Sequence, residues 1–240
     1  MIVDSSALQE QVVADALASA FDSTGQRCSA LRVLCVQEDI ADKVETMLAG
    51  ALDELRIGDP QYLATDVGPV IDAEARAMLE DHIARLRREA RVIRDGALPK
   101  DLPPGEYVAP AAFGIDAIAF LKCEVFGPVL HVVRYAADRV DAVVDAINAT
   151  GYGLTLGIHS RIDETIERIV ARVRAGNIYV NSNMIGAAVG VQPFGGEGLS
   201  GTGPKAGGPH YLQRFVGERT FSINTAAAGG NATLVSLDES

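Results

Sequence analysis

The stretch FDSTGQRCSALRVLCV, residues 21–36, joins a helical pattern to a short apolar strand through a glycine corner. Upstream of it, apolar residues recur at helical spacing, at Leu8, Val12, Ala16 and Ala20. Gly25 ends the helical region, and the run LRVLCV is typical of a buried strand. The same alternation of helices and short strands continues along the chain without an internal repeat. It predicts an α/β domain with an open sheet and flanking helices.

The other elements follow from the same patterns. Helices are predicted over residues 39–55, 72–90, 138–149 and 163–176, and strands over 1–4, 90–96, 106–113, 117–135, 153–160 and 177–181. Ser6 and Gln9 form a capping-box pattern at the start of the first helix. Gly176 is predicted to end the last helix as a left-handed cap.

The composition changes at Glu218. The segment ERTFSINTAAAGGNATLVSL, residues 218–237, predicts two strands around a glycine turn, with little of its own to pack on. Such a hairpin commonly pairs with another chain. We therefore divide the sequence into a domain of residues 1–217 and a C-terminal β-hairpin arm of residues 218–240 that takes part in oligomerisation.

Composition narrows the class of protein. Of the 240 residues, 48% are hydrophobic, which is ample for a core, and the formal charge of −11 argues against nucleic acid or an anionic membrane as partner. No apolar run reaches the ~18 residues of a membrane span, and the amino terminus has no signal-peptide pattern. Three cysteines without CxxC spacing suit a reducing compartment, so a cytoplasmic protein without a metal site is expected.

Cys28 is the candidate nucleophile. Most free cysteines are small buried hydrophobic residues, and Cys35 and Cys123 are predicted to be of this kind because each lies in a predicted strand. Cys28 instead follows Gln26 and Arg27 in a corner, where backbone N–H groups and a cation can stabilise a thiolate.

A cysteine–histidine hydrolase is the first alternative. Of the four histidines, only His210, which follows a glycine-rich loop, is placed to reach such a site, and no neighbouring residue orients it. The other three, His82, His131 and His159, are interpreted as structural or solvent-facing.

A glycine-rich segment supplies the second candidate site. GEGLSG, residues 196–201, matches G-x-G-x-x-G, but the glycines and prolines of TGPKAGGPH forbid the helix that a dinucleotide site needs after it. The longer segment FGGEGLSGTGPKAGG, residues 194–208, is either an anion-binding nest of backbone N–H groups or a surface connection. The pattern leaves both open.

Three motifs together resemble the aldehyde dehydrogenase family from its nucleophile onward. They are FDSTGQRCSALR (21–32), EVFGPVL (124–130) and PFGGEGLSGTGPKAGGP (193–209). The last is similar to the aldehyde-binding loop of L-glutamate γ-semialdehyde dehydrogenases, also called 1-pyrroline-5-carboxylate dehydrogenases. The tail resembles the end of that module in bifunctional proline utilization A proteins. The likeness covers nearly all of the chain.

The resemblance implies NAD-dependent oxidation of glutamate semialdehyde to glutamate, in proline catabolism. Cys28 would add to the aldehyde to form a thiohemiacetal and then a thioester, with its own N–H in the oxyanion hole. The implied binding residues are Glu124 and Phe126 for the nicotinamide ribose of NAD, and Phe194, Ser200 and Gly201 for the substrate.

Some parts of the family pattern are not found in this sequence. In the family, the Rossmann half, the general-base glutamate and an oxyanion-hole asparagine precede the cysteine, and only 27 residues precede Cys28 here. We therefore expect a catalytic-domain fragment, inactive alone as a dehydrogenase, whose partner is the NAD-binding half. The competing interpretation is a non-catalytic assembly module derived from such an enzyme.

Overall fold

The computed structural model describes residues 1–224 and Ala227, and it contains one large sheet flanked by helices. The helices are α1 Gln9–Phe21, α2 Glu38–Asp53, α3 Ala73–Glu89, α4 Val140–Ala149 and α5 Asp163–Arg172. The strands are β1 Ile2–Val3, β2 Val33–Gln37, β3 Arg91–Asp95, β4 Ala111–Gly114, β5 Val129–Tyr135, β6 Tyr152–Gly153, β7 Thr155–His159, β8 Asn177–Val180 and β9 Glu197–Gly198.

Seven strands form the sheet in the order β3-β4-β5-β2-β1-β7-β8. All neighbours pair in parallel except β3, which runs antiparallel to β4 at the edge. The two short strands β6 and β9 pair separately, and β9 lies in the glycine-rich segment. The predicted open α/β sheet is therefore confirmed.

Helices cover both faces of the sheet. Because successive side chains of a strand point to opposite sides, strands such as β2 contribute residues to both core clusters. In β2, Leu34 and Val36 belong to the core cluster under α1 and α2, whereas Cys35 belongs to the cluster on the other face, under α3, α4 and α5. Cys35 is 1% exposed, which confirms its prediction as a buried hydrophobic residue.

Several predicted boundaries are wrong. The side chain of Ser6 does not cap α1, because its hydroxyl hydrogen-bonds the Asp4 carboxylate at 2.5 Å. Helix α5 ends at Arg172, and Gly176 does not adopt a positive φ. The region predicted as strand over 117–128 holds only a 3-10 turn, Ile118–Phe120, before β5 begins.

The predicted C-terminal arm lies mostly outside the described residues. Its described part, residues 218–224 and Ala227, is exposed and forms no strand. Among the described residues, no helix is both long and apolar enough to span a membrane.

Candidate active site

Residues 22–30, here named the cysteine corner, connect α1 to β2 through an unusual backbone. Ser23, Thr24 and Gly25 have φ values of 55°, 56° and 65°. A left-handed conformation is rare for a β-branched residue such as Thr24, and such strain concentrates at functional sites. Tertiary contacts hold the turn: the Thr24 hydroxyl donates to the Gly68 carbonyl at 3.2 Å.

The cysteine corner presents Cys28 to solvent. The thiol is exposed, whereas the next residue, Ser29, is buried. Within the described residues, no acceptor is hydrogen-bonded to the Cys28 backbone N–H. An exposed thiol beside an unengaged N–H is the arrangement that a nucleophile with its own oxyanion donor needs.

Arg32 is a residue of the candidate site that the sequence analysis missed. Its guanidinium donates to the carbonyl oxygens of Gly25 and Arg27, at 2.5 and 2.9 Å, and to the Glu124 carboxylate at 3.2 Å. Burial lowers the pKa of Arg32, while Glu124 and then Cys28 act to raise it. Arg27, by contrast, donates its Nε–H to the Ser23 hydroxyl.

One cavity of about 630 Å³ collects the predicted nucleophile with two other predicted site residues. Cys28, Glu124 and Ser200 all line it, together with Arg32 and apolar residues such as Met184. Phe126, Phe194 and Gly201 are not among the lining residues that the structure describes.

The cavity lies at an uncommon end of the sheet. Cys28 precedes β2, Glu124 precedes β5, and Thr155 is the first residue of β7, so the site gathers at the amino ends of parallel strands. Ligands of open α/β sheets usually bind at the carboxyl ends. Here the loops that enter the strands line the candidate site.

The glycine-rich loop, residues 193–208, is fastened to the start of β8 and to β6. The Asn177 side chain donates to the Pro193 carbonyl at 3.0 Å and accepts from the Gly195 N–H at 3.2 Å. The Ser200 hydroxyl accepts from the Gly153 N–H at 3.0 Å, which brings Ser200 to the cavity wall.

Gly176, predicted as a helix cap, instead allows this loop to pack closely. A Cβ on Gly176 would overlap the carbonyl oxygen of Gly195. The glycine at this position is therefore needed for close approach between two backbones.

The prediction of Cys123 as a buried strand residue is wrong. Cys123 is exposed and lines the cavity next to Glu124. Cys123 precedes β5 and lies outside the sheet, and its side chain is not covered, whereas that of Val125, two residues on, is buried.

The histidines lie away from the cavity. His131 is buried, its Nε2 is 2.9 Å from Nε2 of His82, and burial is the main cause that lowers the pKa of each to about 4. His159 is buried 3.5 Å from the Asp15 carboxylate, and His210 is exposed. None of the four histidines, all of them described, lines the cavity with Cys28, so nothing supports the cysteine–histidine hydrolase.

Comparison with protein families gives a match to the aldehyde dehydrogenase family over residues 1–221. The chain belongs to the aldehyde dehydrogenase family. This membership confirms the resemblance that the three motifs carry.

The relatives place this aldehyde dehydrogenase sequence within a branch of the family. It is 58% identical to the bifunctional protein PutA of Klebsiella aerogenes, over 91% of this chain and 17% of that protein. It is 35% identical to a 1-pyrroline-5-carboxylate dehydrogenase of Geobacillus sp. (strain WCH70), over 92% of this chain and 43% of that enzyme. The chain thus spans less than half the length of either relative.

Solved structures agree with the sequence relatives. The crystal structure of a mutant of Bradyrhizobium japonicum proline utilization A superposes with a TM-score of 0.87 at 60% identity, over 95% of this chain and 23% of that one. A solved structure of a 1-pyrroline-5-carboxylate dehydrogenase superposes with a TM-score of 0.79 at 32% identity, over 89% of this chain and 41% of that one.

Proposed function

We propose that this chain is the catalytic part of an NAD-dependent L-glutamate γ-semialdehyde dehydrogenase, which oxidises the semialdehyde to glutamate in proline catabolism. The observation that carries the proposal is the single cavity lined by Cys28, Glu124 and Ser200. Family membership and the PutA and 1-pyrroline-5-carboxylate dehydrogenase relatives support this substrate.

Cys28 is the nucleophile in this proposal. Its thiolate forms a C–S bond to the aldehyde carbon, and the carbonyl oxygen, now negative, accepts a hydrogen bond from the Cys28 N–H. Loss of a hydride from that carbon leaves a thioester on Cys28, and water then releases the carboxylate and regenerates the thiol.

Glu124 in the cavity and the neighbouring Phe126 are proposed to bind the nicotinamide ribose end of NAD. The Glu124 side chain is partly exposed, with a carboxylate able to accept hydrogen bonds from ribose hydroxyls, and Phe126, which is 39% exposed, offers an apolar face close by. When bound, NAD supplies the acceptor for the hydride. Its main binding domain is proposed to lie outside this chain, so the chain alone is expected to form little or no NADH.

The glycine-rich loop is proposed to hold the α-carboxylate of the substrate. The Ser200 hydroxyl accepts from Gly153, so its own proton is free to be donated to a carboxylate. Gly201, whose N–H donates to the Gly198 carbonyl oxygen only at 3.5 Å, would add a backbone contact, and Phe194 an aromatic wall. These donors supply a local anion site in a chain of net charge −11.

An acylation experiment on the purified chain tests the nucleophile. Mixing with p-nitrophenyl acetate is expected to release a burst of p-nitrophenol equal to the Cys28 content, because an ester acylates the thiolate without NAD. The Cys28→Ala variant should lose the burst, and Cys123→Ala, an exposed cysteine in the same cavity, should keep it. A burst that persists in Cys28→Ala and disappears in Cys123→Ala would refute the assignment.

The substrate class is tested by protection of Cys28 from iodoacetamide. L-glutamate γ-semialdehyde should protect at lower concentration than pentanal, which has the same chain length without the α-carboxylate and the α-amino group. Ser200→Ala should weaken protection by the semialdehyde and leave that by pentanal unchanged. Equal protection by both aldehydes would count against a carboxylate site.

A second candidate function is assembly. Large apolar side chains are exposed near the end of the described chain, namely Leu212, Phe215, Val216, Phe221 and Ile223, at 66–77%. Exposed apolar surface of this extent is typical of an interface. We propose that the C-terminal arm, residues 218–240, contributes to a homo-oligomer, which is compatible with a working active site.

A further inference from the structure

Arg32 lines the cavity and contacts two segments that are far apart in sequence, the cysteine corner and the segment from Glu124 to Phe126. Its guanidinium donates to the Gly25 and Arg27 carbonyl oxygens in the cysteine corner and to the Glu124 carboxylate. Its Cζ also lies 4.5 Å from the centroid of the Phe126 ring. One side chain therefore contacts the nucleophile's loop and both of the residues proposed to bind the nicotinamide ribose.

The backbone of Arg32 is itself anchored. Its carbonyl oxygen accepts from the His131 N–H at 3.1 Å and lies 2.9 Å from His131 Nδ1. Because a carbonyl only accepts, Nδ1 must carry a proton, and Nε2 of neutral His131 then accepts from His82 Nε2–H; this tautomer follows from the hydrogen-bonding partners. The Arg32 side chain is 14% exposed, so few alternative positions are open to it.

We propose that Arg32 is a positioning residue, which pre-organises a nicotinamide ribose half-site at a fixed place relative to Cys28 within this chain. The inference rests on the proposed function, in particular on the roles of Glu124 and Phe126. A planar guanidinium can donate to three acceptors and stack on a ring at the same time, and a lysine ammonium cannot. Without it, Glu124 loses its ion pair and Phe126 loses the cation over its face.

The experiment uses nicotinamide mononucleotide, which carries the nicotinamide ribose without the adenosine half. In a Cys123→Ala background, the rate of Cys28 alkylation by iodoacetamide is measured as the mononucleotide concentration rises to the millimolar range. The parent should show saturable protection. In Arg32→Met, the protection constant should rise at least about tenfold, or about 1.4 kcal/mol.

Two further variants separate positioning from general damage. Glu124→Gln should raise the protection constant as Arg32→Met does, and the double variant should add little, because both changes remove one shared contact. The rate of Cys28 alkylation without mononucleotide is also measured for each variant. A general loss of structure would change this basal rate, whereas a loss of positioning would change only the protection constant.

Two further variants test whether the effect is specific to the guanidinium of Arg32. Arg168→Met removes a guanidinium that pairs with Asp141 outside the cavity lining, and it should behave as the parent. Arg32→Lys keeps the positive charge without the planar guanidinium and should also lose protection by the mononucleotide. This variant replaces Arg32→Met in the experiment if Arg32→Met does not fold.

Parent-like protection in either Arg32 variant, or no protection in the parent, would overturn the inference. A failure of the proposed function would show separately, as the absence of a p-nitrophenol burst from Cys28.

Discussion

His131 lies behind Arg32, where it supports the cavity wall through a backbone carbonyl. Its imidazole and that of His82 are held neutral, since burial, the largest cause, lowers both pKa values to about 4 from the usual 6.5. Arg85 acts in the same direction on both. The hydrogen bond to the Arg32 carbonyl acts in the opposite direction on the pKa of His131, but burial outweighs it, so protonating the pair destabilises the folded state in acid.

The pair predicts a pH dependence of stability. Above pH 6.5 the two histidines are mostly neutral in both the folded and the unfolded chain. As the pH falls from 6.5 towards 4, the histidines of the unfolded chain are protonated before those of the folded chain, so the free energy of unfolding decreases across that range. Each histidine contributes at most about 1.4 kcal/mol per pH unit. In His82→Gln, urea unfolding at several pH values should show a shallower loss than in the parent. An unchanged slope would contradict the assignment.

Single residues differ in how well the sequence reveals them. Cys28 is predictable because a cysteine beside a glycine corner is an unusual pattern. Arg32 is not, because its importance comes from carbonyl oxygens and a carboxylate that converge only after β2 and β5 pair. Cys123 was misjudged because an apolar run predicts a strand, and the chain at that point lies outside the sheet.

At the scale of elements, the cysteine corner depends on the EVFGP segment that packs against it. A Cβ on Gly25 would overlap the carbonyl oxygens of Gly127 and Ala20. A Cβ on Gly127 would in turn overlap the Leu79 side chain of α3. The corner, the loop before β5 and α3 therefore form one close-packed unit, in which the corner has no space to shift.

The substitutions Gly25→Ala and Gly50→Ala are expected to have opposite effects. Gly25 has a φ of 65° and no space for a methyl group, so alanine should cost at least about 2 kcal/mol and slow acylation of Cys28. Gly50 lies in α2 with nothing near its Cβ position, so alanine there should stabilise by up to about 1 kcal/mol. Urea unfolding measures both, and a neutral Gly25→Ala would refute the packing argument.

The elements were easier to predict than their ends. Helical and strand periodicities give α1 to α5 and most of the sheet because each segment buries a recognisable apolar face. The ends depend on tertiary partners, and Ser6 hydrogen-bonds Asp4 in place of capping α1. The convergence of β2, β5 and β7 ends on one cavity depends on strand order, which a single sequence does not display.

At the scale of the whole molecule, the apolar side chains near residues 212–223 remain uncovered in a chain of charge −11. Net charge of this size opposes non-specific association, so an oligomer must use a specific interface. Two of these side chains, Phe221 and Ile223, belong to the described part of the predicted arm, which is why we propose that the interface lies there.

Removal of the arm tests this assignment. Light scattering of the full chain should give a mass that is a multiple of the monomer, and a chain that ends at Gly217 should give a smaller one, because an exposed edge or apolar strip needs its partner. The p-nitrophenol burst of both forms should be the same. An equal mass for both forms would exclude the arm as the interface.

Close packing of the backbone in the glycine-rich loop determines how the loop would bind a ligand. Gly176 touches Gly195, and a Cβ on Gly201 would overlap the carbonyl oxygen of Gly196, so peptide groups rest directly on one another. Glycine-rich segments are often mobile, but here the glycines allow the peptide groups to pack closely against one another. If this loop binds the substrate carboxylate as proposed, it already has its packed shape before binding, so the ligand would be selected by shape match and not by closure of the loop.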